Sequence, residues 1–204
     1  MANYTLKALI DNETVKKFNM LNQRVIIVKE AEGSGADVAW VTFAPFEINS
    51  VSWEEAYGVY ASCSEMEGKA KIEKSSYAQA SEKQSYAFAN GIFEPPVTDT
   101  TLGDNMYEIK NNMTDPDILT FGLAQDVVAN GVTYEGNPIN AVQVLSNESA
   151  TFTPHERISI FMQSDLDDGM VISRIKSQAL LLDFAKQADI VIKYDPAVGG
   201  FVKA

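Results

Sequence analysis

Short runs of β-branched and aromatic residues, separated by turn dipeptides, are the feature that most limits the folds open to this sequence. Valine and isoleucine together number 32, against 11 leucines, and the chain adds 11 threonines and 20 aromatic residues. These side chains fit a pleated, half-buried surface better than they fit a helix. Turn signals such as Asn90-Gly91 and Asn130-Gly131 recur about every 8 to 12 residues. The pattern predicts an all-β fold, built as an antiparallel β-sandwich with successive strands joined by short turns.

Strand-like alternation extends over most of the chain, and no segment shows helical periodicity over a long window. Residues 53–66 carry aromatic side chains at both helical and strand spacing, and we assign them to strand because Gly58 and Val59 disfavour helix. Residues 77–84 leave room for one helical turn. The inward positions of the predicted strands form the expected core, which includes Trp40, Phe43, Trp53, Phe88, Phe121, Ile160 and Phe184.

The chain is predicted to form one domain over residues 1–204. A polar stretch at residues 94–105 begins with Pro95-Pro96 and ends with Gly103-Asp104-Asn105, and it is the candidate internal seam. It divides the chain into two similar halves. A single sandwich whose halves meet across this loop is favoured over two separate domains.

The charge balance excludes several classes of function. The chain has 28 acidic and 16 basic residues, which gives a net charge of -12. Nucleic-acid binding requires a basic face, and electrostatic docking on anionic lipid requires clustered lysine and arginine. No run approaches the roughly 18 apolar residues of a membrane-spanning helix. The N-terminus has no basic segment followed by an apolar one, so we expect a cytoplasmic protein, or one exported without a visible signal peptide.

Few residues in the sequence are suited to catalysis or to transition-metal binding. The chain has one histidine, His155, and one cysteine, Cys63, which cannot supply a closed zinc site. Neither a phosphate-binding loop nor a dinucleotide-binding glycine motif is present. A Cys63–His155 pair and the acid pairs Glu54–Glu55 and Glu65–Glu67 are formal catalytic options, but ordinary structural roles are favoured for them. We therefore expect no enzymatic activity, no catalytic residue and no cofactor.

One acidic run is the candidate ion site. Residues 164–169 contain Asp165, Asp167 and Asp168, and oxygen-rich loops of this kind can bind calcium. The acid that an EF-hand loop requires at its twelfth position is missing. The flanking residues 157–162 and 170–175 are both predicted to form strands. The favoured interpretation is therefore that the acidic run forms the tip of a hairpin. Weak calcium binding at the three aspartates is the alternative.

The second half of the sequence carries most of a family resemblance. The residues concerned are 3–8, 38–40, 51–53, 119–125, 138–142, 151–155 and 169–173. Together they resemble a group of small bacterial and fungal proteins that includes the rhizosphere-expressed RhiA proteins. The similarity covers most of the chain and is strongest over residues 106–195. It implies a leaderless, non-enzymatic β-protein linked to microbial surfaces or communities, and it transfers no catalytic residue.

Two functional hypotheses follow. In the first, the protein is a non-enzymatic, self-associating or structural accessory protein of a microbe, which acts through its surface as a homo-oligomer or ordered assembly. Repulsion from the net charge of -12 would oppose association at neutral pH and would weaken towards the pI of about 4.5. In the second, it is a host- or glycan-binding module, either lectin-like or a pore-forming toxin. Most aromatic residues are expected in the core, but one or two exposed tyrosines would be enough for a glycan-binding surface.

Overall fold

The computed structural model describes residues 2–32, 35–175 and 177–204. Strands account for 57% of the chain and helix for 4%, which confirms the predicted all-β fold. The first sheet contains ten described strands: β1 (Asn3–Leu9), β3 (Ala36–Asp37), β5 (Ile48–Glu54), β6 (Tyr57–Ser62), β7 (Lys74–Ala80), β12 (Ile118–Ala129), β13 (Val132–Pro138), β14 (Asn140–Leu145), β17 (Asp189–Asp195) and β18 (Gly200–Lys203). The second contains eight: β2 (Arg24–Glu32), β4 (Val41–Phe43), β8 (Gln84–Ala89), β9 (Ile92–Phe93), β10 (Val97–Thr98), β11 (Tyr107–Asn111), β15 (Ser149–Gln163) and β16 (Leu180–Asp183).

Two long strands organise the sheets. In the first sheet, the start of β12 pairs with β14 and β6, and its end pairs with β13 and β5. In the second sheet, β15 lies between β11 and β2 and also pairs with β16. Because each long strand has different neighbours along its two halves, both sheets are strongly curled.

The prediction that the sheets are antiparallel throughout is wrong, because both sheets are mixed. In the first sheet, β1 pairs in parallel with β17, and in the second, β8 pairs in parallel with β11. Neither pair is joined by a tight turn, and only a short turn forces its two strands to be antiparallel. Most of the chain separates β1 from β17. The segment that contains β9 and β10 carries the chain from β8 back to the start of β11.

The main hydrophobic core lies between the two sheets. All seven predicted core residues are buried, and the largest apolar cluster contains residues from both sheets. Trp53 lies at its centre, with its ring centroid 5.5 Å from that of Trp40 and 4.7 Å from that of Phe184. The tight turns at Asn90-Gly91 and Asn130-Gly131 also form as predicted, with positive φ at all four residues.

The one helix in the described residues was not predicted from the sequence pattern. Helix α1 (Asn12–Met20) has only nine residues, too few for a long periodic window to detect. Asp11 caps it by accepting a hydrogen bond from the backbone N–H of Thr14 at 3.0 Å. Its apolar side is limited to Val15 and Phe18, which pack against the core. The helical turn allowed at 77–84 does not form, since β7 and β8 occupy most of those residues.

The predicted hairpin around the acidic run is also wrong. After β15 the chain turns back, and Leu166 is buried against Ile26, Val28 and Phe161 on the outer face of the second sheet. Residues 170 and 171 then form isolated bridges to Lys71 and Val38 instead of pairing with β15. Burial of Leu166 accounts for the difference, because a free hairpin tip would leave that side chain in water.

Candidate functional site

A buried ion pair lies at the centre of the interface between the sheets. The ammonium group of Lys29 lies 2.9 Å and 3.0 Å from the two carboxylate oxygens of Glu156 and donates a 2.7 Å hydrogen bond to Oε1 of Gln125. The Lys29 side chain has no exposed surface, and that of Glu156 is almost fully buried. Glu156 also accepts hydrogen bonds from Nε1 of Trp53 at 2.9 Å and from the hydroxyl of Tyr57 at 2.5 Å. Each polar group of the pair therefore has protein partners.

Strand geometry explains why these polar side chains point inward. Lys29 follows Val25 and Ile27 on the inward phase of β2, and Gln125 lies on the inward phase of β12. The pairing of β15 with β2 shifts register between Pro154 and Ile158, so three residues of β15 face a single residue of β2. Such a bulge redirects side chains, and here it turns Glu156 into the core.

The two neighbours of Glu156 lie on the opposite side of the bulge. His155 is 2.9 Å from the carboxylate of Glu32, and Arg157 is 3.2 Å from that of Glu30. Both contacts lie on the outside of the bulge, and the backbone carbonyl of Glu156 accepts a hydrogen bond from the N–H of Phe184.

Aromatic rings surround the Lys29 ammonium. Its nitrogen lies 5.4 Å, 5.6 Å and 5.0 Å from the ring centroids of Trp40, Trp53 and Tyr57. These distances are within the range of cation–π attraction. Because Trp53, Tyr57 and Gln125 belong to the first sheet and Lys29 and Glu156 to the second, the cluster joins the two sheets.

Burial is the largest cause of the pKa shifts of Lys29, Tyr57 and Tyr4 in and beside this cluster. Desolvation lowers the pKa of Lys29 to about 8 from 10.5, although the charge of Glu156 opposes the shift. Desolvation and the Glu156 carboxylate raise the pKa of Tyr57, and the same two causes raise the pKa of Tyr4 to about 12. Lys29 is fully buried and its ammonium is hydrogen-bonded to protein groups. This arrangement therefore supports a structural role, in which the ion pair holds the two sheets together.

The opposite face of the same strands contains an open cavity of about 470 Å³. The cavity adjoins the buried cluster: the amide of Gln125 donates to the backbone carbonyl of Glu54, 2.7 Å away, and both Glu54 and Trp53 line the cavity. Seven of the thirteen lining residues carry hydroxyl, amide or carboxylate groups, and the others are aromatic or aliphatic. Tyr77 is the exposed aromatic residue of the lining, with 42% of its surface accessible. The lining residues are Asn3, Tyr4, Thr5, Ser52, Trp53, Glu54, Ala56, Tyr77, Gln79, Asp126, Val127, Val128 and Thr133.

Contacts within the protein hold the walls of this cavity. The hydroxyl of Tyr77 donates to Oε1 of Gln79 at 3.3 Å, and the Gln79 amide donates to the carbonyl of Tyr57 at 3.0 Å. Asp126 accepts a hydrogen bond from the backbone N–H of Gly136 at 2.6 Å. The ring of Tyr77 lies so close to Gly58 that a Cβ at that position would overlap it.

A second surface feature, which we call the apolar pole, consists of Met20, Leu21, Phe46, Ile48 and Val132. All five are exposed: Met20 retains 81% of its accessible surface, Phe46 55% and Ile48 62%. Hydrogen bonds connect the three segments that carry them. The amide of Asn19 donates to the carbonyl of Pro45 at 3.5 Å, and Asn49 accepts from both the N–H of Phe46 and the amide of Asn130.

The acidic residues predicted as an ion site lie in the turn that follows β15. No group of three or more His, Cys, Asp or Glu side chains could hold a metal ion among those residues. Asp165 has a positive φ of 65°, and the carboxylate of Asp167 lies 3.8 Å from Arg24. Weak calcium binding at Asp165, Asp167 and Asp168 stays a prediction.

The other residues considered from the sequence are scattered. Cys63 is exposed, whereas His155 is partly buried and is paired with Glu32. The acids Glu54 and Glu55 are both exposed. Sequence reasoning missed Lys29, Gln125 and Glu156. A signal existed for the first two, which occupy inward positions of strands, but none existed for the bulge that turns Glu156 inward.

Comparisons with known proteins place the chain in one family. Within the described residues, no helix has both the length and the apolar character needed to cross a bilayer. No curated protein and no solved structure matches the chain. The sequence model of the RhiA family does match it, over residues 1–202. With nearly the whole chain matched, the protein belongs to the RhiA family.

Proposed function

We propose that this chain is a non-enzymatic, sandwich-like β-protein that acts through its surface by associating with further copies of itself. The observation that carries the proposal is the apolar pole, five exposed apolar side chains on three segments connected by hydrogen bonds. Apolar patches of this kind on a protein surface typically mark interaction sites. The partner that we assign to the pole is a second copy of this chain.

The local charge supports a second copy as the partner. The segments that carry the five residues of the pole, 11–24, 44–50 and 128–133, contain three acidic residues and three basic ones. The pole is therefore neutral, although the whole chain carries a net charge of -12. Two copies that meet at this pole bring no excess of like charge together at the contact itself.

The absence of an enzymatic role is part of the proposal. Its support is the enclosure of the buried ion pair, in which the Lys29 side chain has no exposed surface and its ammonium contacts both Glu156 and Gln125. A general acid or base must come within hydrogen-bond reach of a substrate. Burial strongly shifts the pKa values of Lys29, Tyr57 and Tyr60, and all three side chains are buried in the protein.

Light scattering on purified variants tests the proposal. We expect the wild-type protein to be larger than its 22.4 kDa chain mass, and Phe46→Ser and Met20→Ser to shift it towards that mass. Ile92→Ser is the matched control, because Ile92 is 63% exposed but lies outside the pole. If Ile92→Ser lowers the mass in solution as much as Phe46→Ser does, the pole is not the interface.

A further inference from the structure

We propose that the cavity of about 470 Å³ on the outer face of the first sheet binds an uncharged saccharide. Its volume lies within the roughly 300–1,000 Å³ that is typical of small-molecule sites. None of the five residues of the apolar pole lines the cavity, although Thr133 of the cavity follows Val132 of the pole. This inference does not depend on self-association.

The lining favours a ligand with many hydroxyl groups. Hydroxyls can donate and accept, carboxylates accept, and side-chain amides do both, which together match the alternating donors and acceptors of a sugar ring. These groups extend across neighbouring strands and face the same space. They belong to Asn3, Thr5, Ser52, Glu54, Gln79, Asp126 and Thr133.

An aromatic and an aliphatic wall complete the site. Tyr77 and Val128 both line the cavity and are partly exposed, so each offers apolar surface to the C–H groups of a sugar. Tyr77 is held in place by its bond to Gln79 and by the Lys74 ammonium, which lies 5.3 Å from its ring centroid. A fixed aromatic side chain loses little conformational entropy when a ligand binds.

The charge of the lining selects among saccharides. Glu54 and Asp126 line the cavity, and none of the described lining residues is basic. Lys74 is nearby, but its ammonium donates to the backbone carbonyls of Glu135 and Gly136. An acidic sugar would add a third carboxylate to these two side chains, and the single ammonium of Lys74 cannot offset three negative charges. We therefore expect neutral sugars to bind and uronic acids to be rejected.

Titrations followed by nuclear magnetic resonance test this inference with three named probes: maltose, cellobiose and digalacturonic acid. We expect at least one neutral disaccharide to shift the amide signals of β5, β7 and β12, and digalacturonic acid to shift none of them. Tyr77→Ala should weaken binding about tenfold, whereas Tyr77→Phe, which keeps the ring, should change it by about twofold or less.

A second variant tests the site independently, in case Tyr77→Ala does not fold. The double variant Glu54→Gln, Asp126→Asn keeps the shape of the site and removes its charge, so digalacturonic acid should then bind about as well as the neutral probe. Phe46→Ser should leave saccharide binding unchanged, which separates this site from the proposed self-association. The inference is overturned if neither neutral disaccharide shifts these signals at millimolar concentration, or if removing both carboxylates does not admit the acidic probe.

Discussion

The ammonium nitrogen of Lys29 lies 2.9 Å from the carboxylate of Glu156 across the β2–β15 pair, and both side chains are buried. Gln125, Trp53 and Tyr57 of the first sheet contact the same pair. A buried ion pair is stable only when its remaining hydrogen-bonding groups find partners. In this protein those partners come from the opposite sheet, so the pair fixes how the two sheets meet.

Replacing Lys29 should be strongly destabilising. Lys29→Met leaves the Glu156 carboxylate buried without a cation, which costs about 3–5 kcal/mol in the free energy of unfolding. Adding Glu156→Gln should recover much of this loss, because the amide removes the unpaired charge. Urea unfolding of both variants, followed by tryptophan fluorescence, measures the two effects.

A surface ion pair provides the control for that experiment. Lys83 pairs with Asp104, and both side chains are well exposed. Lys83→Met should therefore leave the urea midpoint unchanged. Equal losses in Lys29→Met and Lys83→Met would contradict the assigned role of the buried pair.

The stability of the protein should rise with pH above about pH 8. Burial lowers the pKa of folded Lys29 to about 8, whereas the unfolded chain has the ordinary value of 10.5. Between these values the unfolded state binds more protons, so the free energy of unfolding increases with pH. Below pH 8 Lys29 is charged in both states, and the folded protein carries the full cost of burying that charge.

Tyrosines should reverse this trend at higher pH. Burial raises the pKa of Tyr57 and of Tyr60 above the ordinary value of 10.0, so above pH 10 only the unfolded chain releases these protons. The free energy of unfolding should then fall. Urea unfolding from pH 7 to 11 should show that the free energy of unfolding of the wild-type protein first rises and then falls. In Lys29→Met the initial rise should be missing. A rise of the same size in Lys29→Met would assign the effect to other groups.

Gly58 should be required for the position of Tyr77. A Cβ at residue 58 would overlap the Tyr77 ring, so Gly58→Ala should cost about 1–3 kcal/mol and displace the ring from the cavity wall. In the double variant with Tyr77→Ala the overlap is absent, and the cost of Gly58→Ala should largely disappear. Gly103→Ala is the control, because its nearest neighbour is the flexible side chain of Met106. Additive effects of Gly58→Ala and Tyr77→Ala would contradict this contact.

The protein should bind no transition metal tightly. One histidine and one cysteine cannot form a closed site, and His155 is already paired with Glu32. Calorimetry should detect no submicromolar zinc binding. Any calcium binding should be weak and should disappear when Asp165, Asp167 and Asp168 are changed to asparagine. Submicromolar binding of either ion would contradict the prediction.

The sequence predicts the all-β fold and the core well because both depend on local patterns. Trp53 and Phe121 are buried where strand alternation places them, and the Asn-Gly turns form at their predicted positions. The parallel pairing of β1 with β17 is a long-range property that no local signal carries. Glu156 reaches the core only because of a bulge, and the cavity around Tyr77 forms only where five strands of the curled first sheet meet. For these reasons neither the buried cluster nor the cavity could be predicted from the sequence.

The central claim, association of copies through the neutral apolar pole, is tested most directly by the mass of the wild-type protein in solution. Sedimentation equilibrium should be measured over a wide concentration range at pH 5 and pH 8, each at low and high salt. We predict a mass above 22.4 kDa that increases with concentration, and stronger association at pH 5 or in high salt, where repulsion between the acidic faces is reduced. A mass of 22.4 kDa under every one of these conditions would contradict the claim.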